Sequence, residues 1–257
     1  MNTSTQKTER IVVYTAIFGK KDNLVAPAFV PPNCDFICFT DQPFRSSVWQ
    51  IRRVEPPEAD PTRSARKYKI LAHRFLPEYT ISIWVDGNVI LKGDMNDLIR
   101  DYLTDANLAV LDHAKSKEIP LSSLAEHEER LLLMERAGKH QEDGGLVKRQ
   151  GDAYRALGFP DTGGLAWTCV LLRHHNESDV VAAMEAWWEE LVRWSKRDQM
   201  SFNYVAWKMK LRFSYIPLDG IENHYTKRLN HRLSPLQKIR SYASGALKRF
   251  RRLFGTM

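Results

Sequence analysis

The hydrophobic pattern opens with RIVVYTAIFG at 10–19, a β-branched and aromatic run halted by glycine, which predicts a buried strand meeting a turn. Loop character follows over 20–33, broken by Pro27, Pro31 and Pro32. Cys34–Thr40 (CDFICFT) predicts a second strand, and a short one around 49–54 runs into the proline-rich stretch 55–61. The pattern over 62–76 predicts a helix with Ile70, Leu71, Phe75 and Leu76 on its apolar side. Ile81–Val85 (ISIWV) is the most strand-like segment and runs straight into Asp86-Gly87-Asn88. Helices are then predicted at 94–103, 122–137, 144–157, 178–194 and 197–210, and strands at 108–111, 164–172 and 211–217. Strands alternating with helices predict an α/β layered domain with a mainly parallel sheet.

Composition narrows this picture. With 257 residues, 43% hydrophobic and 27% charged, the chain can bury a real core and is neither disordered nor a disulfide scaffold. No apolar run approaches the ~20 residues that span a bilayer, and the polar start predicts a cytosolic protein. Cys34, Cys38 and Cys169 read as reduced core thiols. The net charge of +7 is unevenly placed: 227–257 holds nine Lys/Arg and no Asp or Glu, leaving about −2 for 1–226. The expected organisation is therefore a globular body, 1–226, and a basic segment, 227–257.

Three constellations could carry chemistry. A buried strand delivers Asp86 and Asn88 to its C-terminal edge, where open α/β sheets bind ligands, and Gly87 lets a ligand approach the backbone. Such a pair suits Mg²⁺ or Mn²⁺, although Asp and Asn also form turns. Asp198 and Gln199 open a predicted helix, so Asp198 is either its cap, a carboxylate facing a ligand, or both. Arg66 and Lys69, three apart, share a helix face as an anion clamp or as a solvated basic face. His113 and His224 follow predicted strands and are candidate ligands or proton carriers. P-loop, dinucleotide-fingerprint and nucleophile-elbow motifs are absent.

Taken in order, VVYTAIFG, CDFICFTD, RKYKILAH, SIWVDGN and RDQMSFNYVAWK resemble the glycosyltransferase-like family catalogued as domain of unknown function 616, found in plant seed-mucilage proteins and in bacteria. The resemblance covers about 12–207. It implies a GT-A-like, Rossmann-type sheet and transfer of a sugar from a nucleotide-sugar donor, a UDP-sugar first of all, to a glycan or glycolipid acceptor, as in surface polysaccharide synthesis. The placement is also similar to family-8 galactosyltransferase-type enzymes. That similarity implies Asp86, Asn88 and His224 as ligands of Mn²⁺ or Mg²⁺, with Asp198 and Gln199 lining the sugar as catalytic residues. Asn88 stands where an aspartate is usual. On the same reading Thr15, Ala16 and Ile17 border the nucleoside, and Arg66, Lys69, Asp86 and Gly87 complete the donor site. His113, Gly164 and Trp187 are expected on the acceptor side. A metal-dependent hydrolase and a non-catalytic carbohydrate-binding protein are the competing readings.

The basic segment adds one expectation. At helical spacing, 234–254 separates Leu236, Ile239, Leu247, Phe250 and Phe254 from six cations, the pattern of a helix lying on an anionic membrane or of one docked on the body with its cations in water, and the charge segregation favours the membrane. It offers no stacking platform, so nucleic acid is not expected as a partner. The protein is accordingly expected at the inner face of the cell membrane.

Overall fold

The computed structural model describes residues 10–139 and 142–229. The expected membrane-facing helix at 234–254 lies outside the described residues.

In chain order the body comprises β1 (Ile11–Ile17), β2 (Cys34–Thr40), β3 (Gln50–Arg53), α1 (Pro61–Ile70), the one-turn α2 (Ala72–Phe75), β4 (Ile81–Val85), β5 (Val89–Leu91) and α3 (Met95–Tyr102). It continues through β6 (Leu108–Asp112), α4 (Leu124–Arg136), α5 (Gly144–Ala156), β7 (Ala166–Arg173), α6 (Ser178–Arg193), α7 (Gln199–Met209), β8 (Ser214–Ile216) and β9 (Thr226–Arg228). Seven strands form one sheet in the order β3-β2-β1-β4-β7-β6-β8. Every neighbouring pair is parallel except those made by β7, which runs antiparallel to both β4 and β6. The protein is thus a mixed α/β domain with a mostly parallel central sheet flanked by helices, as the sequence predicts.

The buried strands explain the hydrophobic runs. Alternate residues of β1 enter two separate cores: Val12, Tyr14 and Ala16 pack on one side with α6 and α7, while Val13 and Ile17 pack on the other with α3. The helix predicted over 62–76 is interrupted at Leu71 (ψ 44°). The cause is tertiary. Tyr14 Oη donates to the Lys69 carbonyl at 2.8 Å, and the buried Arg173 guanidinium donates to the carbonyls of Lys69 (2.8 Å) and Ile70 (3.2 Å). Those acceptors are satisfied from across the core at the point where the helix ends.

β5 and β9 form a second, two-stranded antiparallel sheet absent from the sequence reading. Because β9 spans 226–228 and Leu229 N–H donates to the Asn88 carbonyl at 2.7 Å, the body runs at least to Leu229, three residues past the expected boundary.

Two features of this topology place the site. The parallel strands β1 and β4 end at one edge of the sheet, and the reversed β7 starts at that same edge. Asp86, just past β4, donates its N–H to the Cys169 carbonyl of β7 at 2.9 Å. The segment 197–199 that leads into α7 completes the edge.

Candidate active site

Asp86 begins a tight turn: Val89 N–H donates to the Asp86 carbonyl at 2.9 Å, which leads the chain into β5. The Asp86-Gly87-Asn88 segment is therefore both a turn and placed at the C-terminal edge of β4, as the sequence predicts. Gly87 is required by packing, since a Cβ there would lie 2.8 Å from Ile17 Cγ1.

Asp198 adopts helical backbone angles (φ −57°, ψ −32°), and its side chain makes no capping bond to α7. The carboxylate turns instead toward α1 and β7. Its Oδ2 accepts from Thr168 Oγ1 at 2.8 Å and forms an ion pair with Lys69 Nζ, and its Oδ1 lies 3.2 Å from Arg66 Nε. Asp86 Oδ1 faces the same two cations, Arg66 at 3.1 Å and Lys69 at 3.4 Å, and also accepts from Trp84 Nε1 at 2.8 Å. Helical spacing predicted that Arg66 and Lys69 share a face; the structure closes that face over two carboxylates 112 residues apart in sequence. Trp187 Nε1 donates to the Asp198 carbonyl at 3.0 Å and fixes that backbone from α6.

Burial alone would raise the pKa of both carboxyls. For Asp86 the charges of Lys69 and Arg66 outweigh it, and for Asp198 those of Arg66 and Lys69 do, so both pKa values are lowered. Asp198 is thus a fully ionised, hydrogen-bonded carboxylate, well suited to orienting donors and poorly suited to taking a proton at neutral pH.

The cluster opens into a cavity of about 340 Å³ lined by Arg66, Asp86, Asn88, Asp198 and Gln199 from the expected set, together with His113. A smaller cavity of about 40 Å³ shares Arg66, Asp86 and Asn88 and reaches Ala16, Ile17 and Gly87. The remaining expectations need correction. Lys69 is 0% exposed and spends its ammonium on Asp86, Asp198 and Thr168, so it supports the site from behind rather than touching a ligand. Thr15 is buried within the sheet, one residue short of the opening. Trp187 is 0% exposed in the core and cannot stack on a sugar. Gly164 (φ +93°) packs on the Tyr215 ring, where a Cβ would lie 3.1 Å from Oη, and takes no part in the cavity wall.

His224 is also misplaced. The β5–β9 register pairs Leu91 with Thr226 and Val89 with Arg228, so His224 lies beyond the far end of the ladder, beside Gly93. Arg228 and Leu229 occupy the cavity end instead. Asn88 is held there, its Nδ2 donating to the Leu229 carbonyl at 3.1 Å. With Asp86 Oδ1 already accepting from three groups, Asn88 engaged and His224 distant, these three residues do not fit a divalent ion. Among the described residues no cluster of three or more His, Cys, Asp or Glu side chains offers another metal site.

Sequence reasoning missed part of the wall. Arg130, Arg197 and His127 line the larger of these two cavities, and His127 is 2% exposed with both ring nitrogens lacking a hydrogen-bond partner among the described residues. Burial lowers its pKa well below 6.5, with the Arg197 charge adding to the effect; His113, stacked on Trp167 at 4.5 Å, is lowered by burial too. Both are neutral imidazoles at pH 7. The spacing Leu124, His127, Glu128, Leu131 would have found His127, because it sits on the buried stripe of α4.

Fold and site together define a mixed α/β domain with a cation-rich cleft at the strand ends of its sheet. The chain belongs to the TOD1/MUCI70 glycosyltransferase-like domain family, which matches residues 38–231. It is similar to the probable hexosyltransferase MUCI70 of Arabidopsis thaliana, at 26% identity over 77% of this chain and 37% of the relative, and so spans a little over a third of that relative's length. Among solved structures, the bifunctional glycosyltransferase WbbM in its apo form aligns with a TM-score of 0.43 at 9% identity, over 84% of this chain and 40% of that one. Apo mouse xyloside xylosyltransferase 1 aligns with a TM-score of 0.41 at 10% identity, over 81% and 84%.

Proposed function

We propose that this domain is a GT-A-type glycosyltransferase that moves a hexosyl or related sugar from a nucleoside diphosphate donor to a hydroxyl of a glycan or glycolipid. The observation that carries the reading is that the family match spans Arg66, Lys69, Asp86 and Asp198, the four charges that build one cluster on the cavity.

Each part of the cleft has a task in such a transfer. Ala16, Ile17 and Gly87, at the small recess beside the cleft, border the nucleoside. Arg66 stands between the two carboxylates with its guanidinium at the cavity wall, where it meets negative charge developing on the leaving diphosphate. Asp198, permanently ionised, accepts hydrogen bonds from sugar hydroxyls and fixes the ring. Gln199, anchored by Nε2 donating to the Ala166 carbonyl at 3.1 Å, lines the same wall. His113 and His127 line the same cavity as neutral imidazoles, and His113 is the group that accepts a proton from an acceptor hydroxyl.

The test is a panel of UDP-, GDP-, ADP- and CDP-sugars, each titrated against the purified chain with Mn²⁺ and with chelator. Saturable binding of at least one donor is expected, followed by sugar transfer to an oligosaccharide or glycolipid acceptor. Absence of binding by every donor under both conditions overturns the reading.

A further inference from the structure

The charges around the cavity do not balance. Arg66 and Lys69 are matched by Asp86 and Asp198, and Arg228 on the rim is paired with Glu118 at 2.7 Å. Three more cations, Lys21, Arg130 and Arg197, line the same space and form no ion pair among the described residues. Arg197 Nε is buried without a hydrogen-bond partner among the described residues. These like charges also feel one another: Lys21 is depressed first by burial and then by Arg66, with Arg197 adding to it and Asp22 and Asp86 pulling the other way. Concentrating cations in a partly desolvated cleft is unfavourable unless something anionic enters.

A second observation points to a ligand. His127 is almost wholly buried, faces this cavity, and leaves both ring nitrogens unpartnered among the described residues. Buried polar atoms are ordinarily paired, and a neutral imidazole carries one N–H, so the wall presents a donor still without an acceptor oxygen. Guanidinium groups meet such a group through forked, charge-assisted hydrogen bonds, which suits phosphate oxygens. The Asp86, Asn88 and His224 set, in contrast, does not fit the ion that would otherwise neutralise a diphosphate.

On the glycosyltransferase reading, we infer that Lys21, Arg130 and Arg197 bind the donor diphosphate directly and supply the positive charge that a divalent metal ion would otherwise bring. The three come from separate parts of the chain, the loop after β1, helix α4 and the segment before α7, so they converge only in the folded domain. Arg66 then joins them as the negative charge of the diphosphate grows during sugar departure.

The experiment is calorimetric titration of the full chain with inorganic pyrophosphate and with UDP, once in EDTA and once in MnCl₂. Both probes are expected to bind in EDTA, with affinity within about threefold of that in Mn²⁺, and Arg130→Gln and Arg197→Gln are each expected to weaken EDTA binding about tenfold or more. Arg130 is half-buried and unpaired, so its variant keeps the test open if Arg197→Gln fails to fold. Binding that requires Mn²⁺, or that both variants retain unchanged in EDTA, overturns the inference while leaving the glycosyltransferase reading in place. If neither probe nor any sugar nucleotide binds under either condition, both fall.

Discussion

Lys69 shows how much one side chain holds in this domain. A fully buried ammonium is tolerated because Asp198, Asp86 and Thr168 surround it. Lys69→Met keeps the volume and removes the charge. It leaves two carboxylates, one of them almost fully buried, sharing the charge of Arg66 and the neutral donors Trp84 and Thr168. Breaking a buried pair from one side costs about 3–5 kcal/mol, so the urea unfolding midpoint at pH 7 should fall by a corresponding amount. A loss under about 1 kcal/mol would show that Arg66 suffices to hold both carboxylates. The same logic makes Lys69 a positioning residue: it fixes the carboxylate that faces the ligand and does not itself touch it.

At the scale of elements, α7 ends on a strained residue. Lys210 adopts left-handed angles (φ 54°, ψ 34°) while its N–H donates to the carbonyls of Ala206 and Trp207. Glycine takes this conformation without steric cost, and the Lys210 side chain is exposed, so Lys210→Gly should raise stability by about 1 kcal/mol in thermal or urea unfolding. Destabilisation would mean that the lysine side chain contributes more than its backbone costs. Elements were legible in the sequence where burial alone determines them: β1, β2, β4 and β7 are apolar on both faces and announce themselves. The three-residue strands β5 and β9 do not, because each exists only through a partner more than a hundred residues away. The break at Leu71 was equally hidden, since it depends on Tyr14 and Arg173 reaching across the core. In the site, Asp86 and Asp198 were readable from their positions at element ends. The inward turn of Lys69 was not, because spacing gives a shared face without saying what covers it.

The whole molecule is built to be sensitive to acid. Burial lowers the pKa of His175 from 6.5 to about 4, and its Nε2–H donates to the Leu76 carbonyl at 2.9 Å. His127 and His113 are displaced in the same direction. Between the unfolded value near 6.5 and these lower folded values, the unfolded chain binds more protons than the native one. Stability therefore rises with pH across this window and is lost as pH falls. His175 alone accounts for about 3 kcal/mol between pH 6.5 and 4. Below the unfolded carboxyl values, protonation of Asp86 and Asp198 adds loss of the same sign, because their folded pKa values are lowered. Unfolding midpoints recorded from pH 7.5 to 4 should decline steadily, and His175→Gln should flatten the slope. A level profile over that range would contradict the assignment of these imidazoles as neutral in the native state.

The small β5–β9 ladder also joins distant parts of the chain mechanically. Leu229 is moored to Asn88 by two hydrogen bonds, and both residues form part of the cavity wall. The polypeptide therefore departs toward its basic segment directly from the rim of the cleft. Parting those two bonds costs about 2 kcal/mol, a shift of roughly thirtyfold in population, which is within reach of an ordinary docking event.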